Sequence, residues 1–237
     1  MLAALWRESP HTKVPEDRQL MTMAALLHVD PAGTALVGEL IGQSGLGAEA
    51  WLRRYLHAYL SPLLHCFYQY ELVFMPHGEN LILVLKDQAV ERVLMKDITE
   101  EILLFDQDRP LPEDVERVRV DTTDEMKLLY LYTDVFDGFF RFLGSLLDAQ
   151  GIFAEADFWQ LVAETVQIYQ ERHPELQERF ARYDLFQPTV RRCCLNRLQL
   201  SNTKHMLNLA DPMNSLKFEG VMENPIASFK DRWSREG

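Results

Sequence analysis

The chain has 237 residues, 47% of them hydrophobic, which suffices for one large domain or two small ones with an ordinary packed core. Its 24 basic and 36 acidic residues give a net charge of −12, which argues against a sequence-independent grip on nucleic acid or on an anionic membrane surface. Three cysteines, with Cys193 and Cys194 adjacent, make a poor disulfide framework, and no run approaches the roughly 18 to 20 apolar residues of a membrane span, so the expectation is a cytoplasmic chain without a membrane partner.

In chain order, residues 1–17 carry Pro10 and Pro15 and read as a helical turn followed by an extended arm. Residues 19–28 and 34–42 read as two short helices. From Ala48, the apolar residues Trp51, Leu52, Tyr55, Leu56, Leu60, Leu63, Leu64 and Phe67 recur at helical spacing and predict a long amphipathic helix that contains Pro62.

Residues 81–85 are a five-residue apolar run, and Val90 to Met95 is rich in aliphatic residues, with the polar Lys86-Asp87-Gln88-Ala89 between them. This predicts an antiparallel hairpin, with residues 71–75 as a third strand. Pairing would bring His77, Glu79 and Asn80, before the first strand, close to Lys96 and Asp97 after the second. Two carboxylates and an amide oxygen at neighbouring strand ends suit Mg²⁺, which takes one or two protein carboxylates and completes its shell with waters and phosphate oxygens. The plainer reading of Pro76-His77-Gly78-Glu79-Asn80 is a polar turn capping a buried strand.

Residues 106–121 read as a solvated acidic loop. Thr122-Thr123-Asp124-Glu125 has the form of a capping box and opens a core helix to Gly151, whose apolar face runs through Leu128, Leu129, Tyr132, Val135, Phe136, Phe139, Phe140, Leu143 and Leu147. Its other stripe, Lys127, Tyr130, Asp134, Asp137 and Arg141, reads as a solvated face with local ion pairs. Helices are expected at 154–169, 174–183 and 190–200, the last carrying a basic patch of Arg191, Arg192 and Arg197 with Lys204 beyond, and 226–237 reads as a polar tail. The fold class is therefore α+β, mainly helical, with one small antiparallel sheet at about residues 71–105 packed on the helix from 122 to 150.

The pattern His77-Gly78-Glu79-Asn80, a hairpin, then Lys96-Asp97 resembles the His-x-Gln-Asn and Arg-Asp elements of the aerobactin-synthetase-like siderophore synthetases, which work without peptide-synthetase modules. Leu5-Trp6-Arg7-Glu8-Ser9-Pro10, Met23-Ala24-Ala25-Leu26-Leu27, Arg192-Cys193-Cys194-Leu195-Asn196-Arg197-Leu198 and Asp211-Pro212 through Glu223-Asn224-Pro225-Ile226 agree with it, the last two resembling the desferrioxamine and alcaligin branch. Glu79 replaces the usual Gln, and Lys96 the usual Arg. The family's His-Pro-x-His-Pro-Trp-Gln and Ser-x-Arg nucleotide motifs have no counterpart, so the resemblance makes residues 1–237 the C-terminal, acyl- and amine-substrate side of such an enzyme without its N-terminal nucleotide-binding half.

What the resemblance implies is an ATP-dependent, AMP-forming ligase that condenses a succinyl-hydroxamate type of carboxylate with an amine through an acyl-adenylate. His77 is then the catalytic residue and binds the acyl substrate. Glu79, Asn80, Lys96 and Asp97 serve the nucleotide, with Glu79 and Asp97 on Mg²⁺. Lys127-x-x-Tyr130 resembles an Arg-x-x-Tyr pair that grips the substrate carboxylate. The implied partners are ATP, Mg²⁺, small carboxylate and amine precursors and the missing half, and a homodimer is compatible with the chain.

Three other readings compete. A kinase-like site needs a catalytic Asp just after the His and a phosphate-covering lobe upstream, neither of which is present. A ferric-siderophore reductase with an iron–sulfur cluster needs further cysteines, and none follows Cys194. The third is a non-enzymatic fragment or binding subunit.

Overall fold

The computed structural model describes residues 6, 8–96, 98, 102–193 and 218–230. Strand β1 (Gln19–Thr22) is followed by a 3-10 turn at Met23–Leu27, helix α1 (Leu36–Ser44) and the 23-residue helix α2 (Ala48–Tyr70). The stripe foreseen on α2 is buried throughout, joined by Tyr59 and Tyr68, and Pro62 lies within the helix without ending it. Next come β2 (Leu72–Val73), β3 (Leu81–Lys86), β4 (Ala89–Met95) and β5 (Leu103–Leu104).

The expected hairpin is β3 and β4, paired antiparallel from Leu81↔Met95 to Lys86↔Ala89. Its turn residues, Asp87 and Gln88, have φ of 50° and 62°. Positive φ at both central residues belongs to a type I′ turn, whose twist matches that of the flanking strands.

The third strand is not at 71–75. β1 fills that place and pairs with β3 from Gln19↔Leu85 to Thr22↔Ile82, while β2 pairs with β5 in a separate two-stranded sheet. β3 is buried over most of its length, so its polar backbone needs a neighbour on both edges, and β1 supplies the second. The helix expected at 19–28 is accordingly half strand and half 3-10 turn. Its Met-Ala-Ala-Leu-Leu composition favours a helix locally, but pairing with β3 decides the first half.

Helix α3 (Asp124–Leu131) runs directly into a π-helical segment (Tyr132–Phe140) and then α4 (Arg141–Ala149). All nine residues of the foreseen apolar face are buried. The N-cap is Thr123, whose Oγ1 accepts from the Met126 N–H at 3.3 Å, one residue later than the expected box. In the widened π turns, a Cβ on Gly138 would lie 2.7 Å from the Thr133 carbonyl oxygen, which explains a glycine inside this helix.

Helices α5 (Glu155–Arg172) and α6 (Gln177–Arg182) follow, and α5 packs along α2. The helix expected at 190–200 is corrected where it is described: β6 (Thr189–Cys193) pairs antiparallel with β7 (Phe218–Glu223), and 194–200 lie outside the described residues. The start of the expected polar tail is docked. Ile226 is fully buried, Gln167 donates to the carbonyls of Phe229 and Lys230, and Lys230 Nζ meets Asp184 at 2.6 Å.

The class is thus α+β with antiparallel strands, as expected, but the strands form one three-stranded and two two-stranded sheets among the described residues. Among the described residues the hairpin packs chiefly on α2, through β4, more than on the run from residue 122.

Candidate functional site

The turn at 76–80 lies at the open end of the hairpin. Its shape follows from three anchors on separate elements. Tyr59 of α2 donates its hydroxyl to the Pro76 carbonyl at 2.8 Å, and the Ala24 N–H donates to the Gly78 carbonyl at 2.9 Å. A Cβ on Gly78 would lie 2.8 Å from Phe139 Cε2 and 3.0 Å from Ala24 Cα, so glycine is what lets the π segment and the N-terminal turn close on this loop.

Within the turn, the Asn80 N–H donates to the His77 carbonyl at 3.0 Å, and the Asn80 carbonyl accepts the Lys96 N–H at 2.9 Å, so the two ends of the hairpin do meet. The Asn80 side chain is buried and lies 3.1 Å from His77 Nε2, through Nδ2, which also donates to the Met75 carbonyl at 3.2 Å. His77 and Lys96 are half-buried, and Glu79 is exposed. The structure therefore brings His77, Asn80 and the Lys96 backbone together, with the Glu79 carboxylate facing solvent on the same turn. Asp97 lies outside the described residues, so its convergence with this group is not described. Among the described residues no group of three or more His, Cys, Asp or Glu side chains could hold a metal ion, but one exposed carboxylate beside the turn fits the smaller demand of a cation that keeps waters and phosphate oxygens.

Lys127 belongs to a different constellation. It is buried, not solvated: its ammonium donates to the Tyr183 hydroxyl at 3.2 Å and lies 3.7 Å from both Glu71 Oε2 and Asp124 Oδ1. Tyr183 in turn donates to Glu71 Oε1 at 2.6 Å, and Arg182 pairs with Asp124 at 2.8 and 2.9 Å. Burial, and then the bond to the Glu71 carboxylate, hold the Tyr183 hydroxyl well above the usual phenol range, and the Arg182 guanidinium holds Asp124 below the usual carboxylate range. Glu71 is the C-cap of α2, with φ of 50°, a left-handed conformation that costs a non-glycine residue about 1 to 2 kcal/mol. The cluster that receives its carboxylate offsets that cost.

Tyr130, on the next turn, is half-buried against Phe105 at 5.7 Å between ring centroids, its hydroxyl pushed up to about 12 by burial and by Asp134. Asp137 and Arg141 pair with each other at 3.0 Å and line a separate cavity with Trp159 and Arg192. The five-residue stripe is therefore divided, because the π turns insert extra residues and break the regular spacing. Of the expected basic patch, Arg191 and Arg192 are exposed on β6, with Arg191 Nε 3.8 Å from Glu125; Arg197 and Lys204 lie outside the described residues.

Sequence reasoning missed Tyr59, Ala24 and Phe139 as the frame of the turn, and Glu71, Tyr183 and Arg182 as partners of Lys127. Tyr59 carried a signal, since it lies four residues from Tyr55 on the apolar stripe of α2. Glu71 carried none, because its role depends on residues more than 50 positions away.

The chain thus combines an α+β domain with a His-x-x-Asn turn at the mouth of a hairpin. The chain belongs to the family described as ferric iron reductase FhuF-like transporter, matched over residues 49–208, and is a partial region of aerobactin-synthetase-like siderophore synthetases. It is 52% identical over 230 residues to putrebactin synthase of Shewanella sp. (strain MR-4), covering 97% of this chain and 37% of that one. It is 33% identical to aerobactin synthase of Escherichia coli over 85% of this chain and 35% of the relative. The solved structure of aerobactin synthetase IucC from Klebsiella pneumoniae superposes with a TM-score of 0.80 at 29% identity, over 94% of this chain and 39% of that one. The chain thus spans little more than a third of the length of these relatives. No helix among the described residues is long and apolar enough to cross a membrane.

Proposed function

We propose that the chain is the acceptor-side region of an ATP-dependent synthetase of siderophore biosynthesis, joining a succinyl-hydroxamate type of carboxylate to an amine. The observation that carries this reading is the His77–Asn80 turn, held by three separate elements in a chain 52% identical to a protein named putrebactin synthase.

The reaction has two steps. A carboxylate oxygen attacks the α-phosphorus of ATP, breaking the bond to pyrophosphate. The amine nitrogen then attacks the acyl carbon, the bond to AMP breaks and the amine loses a proton. Such chemistry is mostly positioning and charge stabilisation. In this reading His77 meets the acyl oxygen as negative charge develops there. Glu79 and Asp97 would hold Mg²⁺, whose charge offsets that of the phosphates, and Asn80 and Lys96 line the nucleotide side. Lys127 and Tyr130 serve the substrate carboxylate, with Lys127 exchanging its 3.7 Å contact to Glu71 for the incoming group. The partners are small carboxylate and amine precursors and the remaining length of such a synthetase, in the cytoplasm, where a homodimer is compatible with the proposal.

The family description names reductases, and that reading meets a chemical obstacle. An iron–sulfur cluster is held by four thiolates, whereas these 237 residues contain three cysteines, Cys66 and the adjacent Cys193 and Cys194.

The test uses this chain together with the rest of a related synthetase as a second polypeptide, ATP, Mg²⁺ and a succinylated hydroxamate diamine, with AMP release as the readout. Substituting His77→Ala should lower the rate by about 100-fold or more, the usual effect of removing one donor to a developing oxyanion. A rate within threefold of the parent would remove His77 from the mechanism.

A further inference from the structure

We propose that the cavity between the π-helical segment, α5 and the β6–β7 sheet binds a small zwitterion, an ammonium and a carboxylate joined by a short apolar chain. The cavity has a volume of about 340 Å³, at the lower end of the range of about 300 to 1,000 Å³ in which small-molecule sites fall. Its inner wall is aromatic. Tyr132, Phe136 and Trp159 are buried there, and the Phe136 and Trp159 rings lie 5.9 Å apart at an interplanar angle of 27°. No residue of the His77 turn is among the described residues that line it, so the proposal does not rest on the ligase reading.

The charged groups around the cavity divide into engaged and free. Asp137 and Arg141 neutralise each other at 3.0 Å, and Glu155 Oε1 accepts the Trp159 indole N–H at 3.3 Å. Arg192 and Glu223 are exposed and line the same cavity, and among the described residues neither side chain has a hydrogen bond or an ion pair, with the other or with a neighbour. Their backbone is nevertheless fixed. Glu223 stands opposite Thr189 in the sheet, and Arg192 lies where the register shifts between Arg191 and Cys193, a bulge of the kind that re-aims a side chain. Asn224, next to Glu223, is buried and bonded to the Leu185 and Gln187 carbonyls and to the Tyr132 hydroxyl, so this end of β7 is tied to the aromatic wall. The cavity therefore offers one free cation, one free anion and an apolar surface. A ligand that is only a cation leaves Arg192 unmatched, and one that is only an anion meets the Glu223 carboxylate unmatched. A zwitterion answers both: its carboxylate takes the planar fork of Arg192, its ammonium takes Glu223, and its chain lies on Phe136 and Trp159.

The experiment titrates the 237-residue chain, labelled with ¹⁵N-tryptophan and without nucleotide, with 5-aminopentanoate, and follows the indole N–H signals. The chain has four tryptophans, and Trp159→Phe identifies the Trp159 signal by its disappearance. A saturable shift of that signal is expected, with a dissociation constant on the order of 1 mM for so small a ligand. Pentylamine and pentanoate, which carry the same chain with one charge each, should each bind about tenfold more weakly, the effect of one lost hydrogen bond to a charged group. Glu223→Gln should weaken 5-aminopentanoate about tenfold and leave pentanoate no weaker, and Arg192→Gln should weaken 5-aminopentanoate as much and leave pentylamine no weaker. A Trp159 signal that does not saturate overturns the proposal. So does pentylamine or pentanoate binding as tightly as the zwitterion, or 5-aminopentanoate binding that is indifferent to both substitutions. Should Trp159→Phe fail to fold, the two exposed substitutions and the three probes decide by calorimetry. Because the titration contains no ATP, its failure and failure of the ligase reading are separately visible.

Discussion

Replacing Lys127 with Met should lower the free energy of unfolding by about 3 kcal/mol, the lower end of what is measured when one partner of a buried ion pair is removed. Lys127 and Glu71 are both buried, and the ammonium lies 3.7 Å from the carboxylate and is hydrogen-bonded to Tyr183, which also binds Glu71. Without the ammonium, Glu71 keeps Tyr183 and a 3.7 Å contact to Arg182, which is why the loss stays near the lower end. The double variant Glu71→Leu with Lys127→Met removes both charges together and should recover most of the stability, because well-packed apolar replacements of buried pairs are often neutral or better. Urea unfolding of the parent, Lys127→Met and the double variant measures this. A Lys127→Met cost below about 0.5 kcal/mol would match a solvated surface charge and contradict the cluster.

A loss of similar size is expected at Asn224. This buried amide donates to the carbonyls of Leu185 and Gln187 at 2.8 and 2.7 Å and to the Tyr132 hydroxyl at 3.2 Å, and its oxygen accepts the Ile226 N–H at 3.2 Å. It therefore ties the end of β7 to the segment after α6 and to the π turns. Asn224→Ala leaves the Gln187 carbonyl and the Ile226 N–H without this partner, while the Leu185 carbonyl keeps the Tyr132 hydroxyl at 2.6 Å; at about 1 to 3 kcal/mol for each group that water cannot reach, a total of about 3 kcal/mol is expected. Asn224→Asp should be nearly as costly, since an ionised carboxylate would face the two carbonyls. Thermal unfolding of both variants checks this; an unchanged midpoint would mean that water enters and replaces the amide.

The elements that were legible in the sequence are those whose pattern is local. The α2 stripe, the β3–β4 hairpin and the apolar face from Leu128 to Leu147 announce themselves by period and turn residues, and the structure contains them. What was not legible depends on partners distant in the chain. Gln19 to Thr22 become a strand because β3, about 60 residues later, has an open edge, and Thr189 to Cys193 become one because β7 returns to meet them. Lys127 follows the same logic: its spacing with Tyr130 and Asp134 reads as a charged surface, and only Glu71 and Tyr183, from two other parts of the chain, make it interior. At the candidate site, the meeting of Asn80 with Lys96 was readable from hairpin geometry alone. The frame provided by Tyr59, Ala24 and Phe139 was not, because it requires three elements to converge on a glycine.

On the function proposed above, this chain carries the acceptor side of a ligase and depends on the remaining length of a related synthetase for much of the grip on the triphosphate. A triphosphate must be held from several sides, and each missing charged contact in such a transition state costs about 3 kcal/mol, or some hundredfold in rate. The direct measurement is multiple-turnover AMP release with ATP, Mg²⁺ and a succinylated hydroxamate diamine, made on the 237-residue chain alone and on the chain mixed with the remaining part of a related synthetase. The account predicts no substrate-dependent AMP from the folded chain alone and measurable release from the mixture. Sustained turnover by the chain alone, or a mixture that remains silent although both polypeptides are folded and associated, would contradict it.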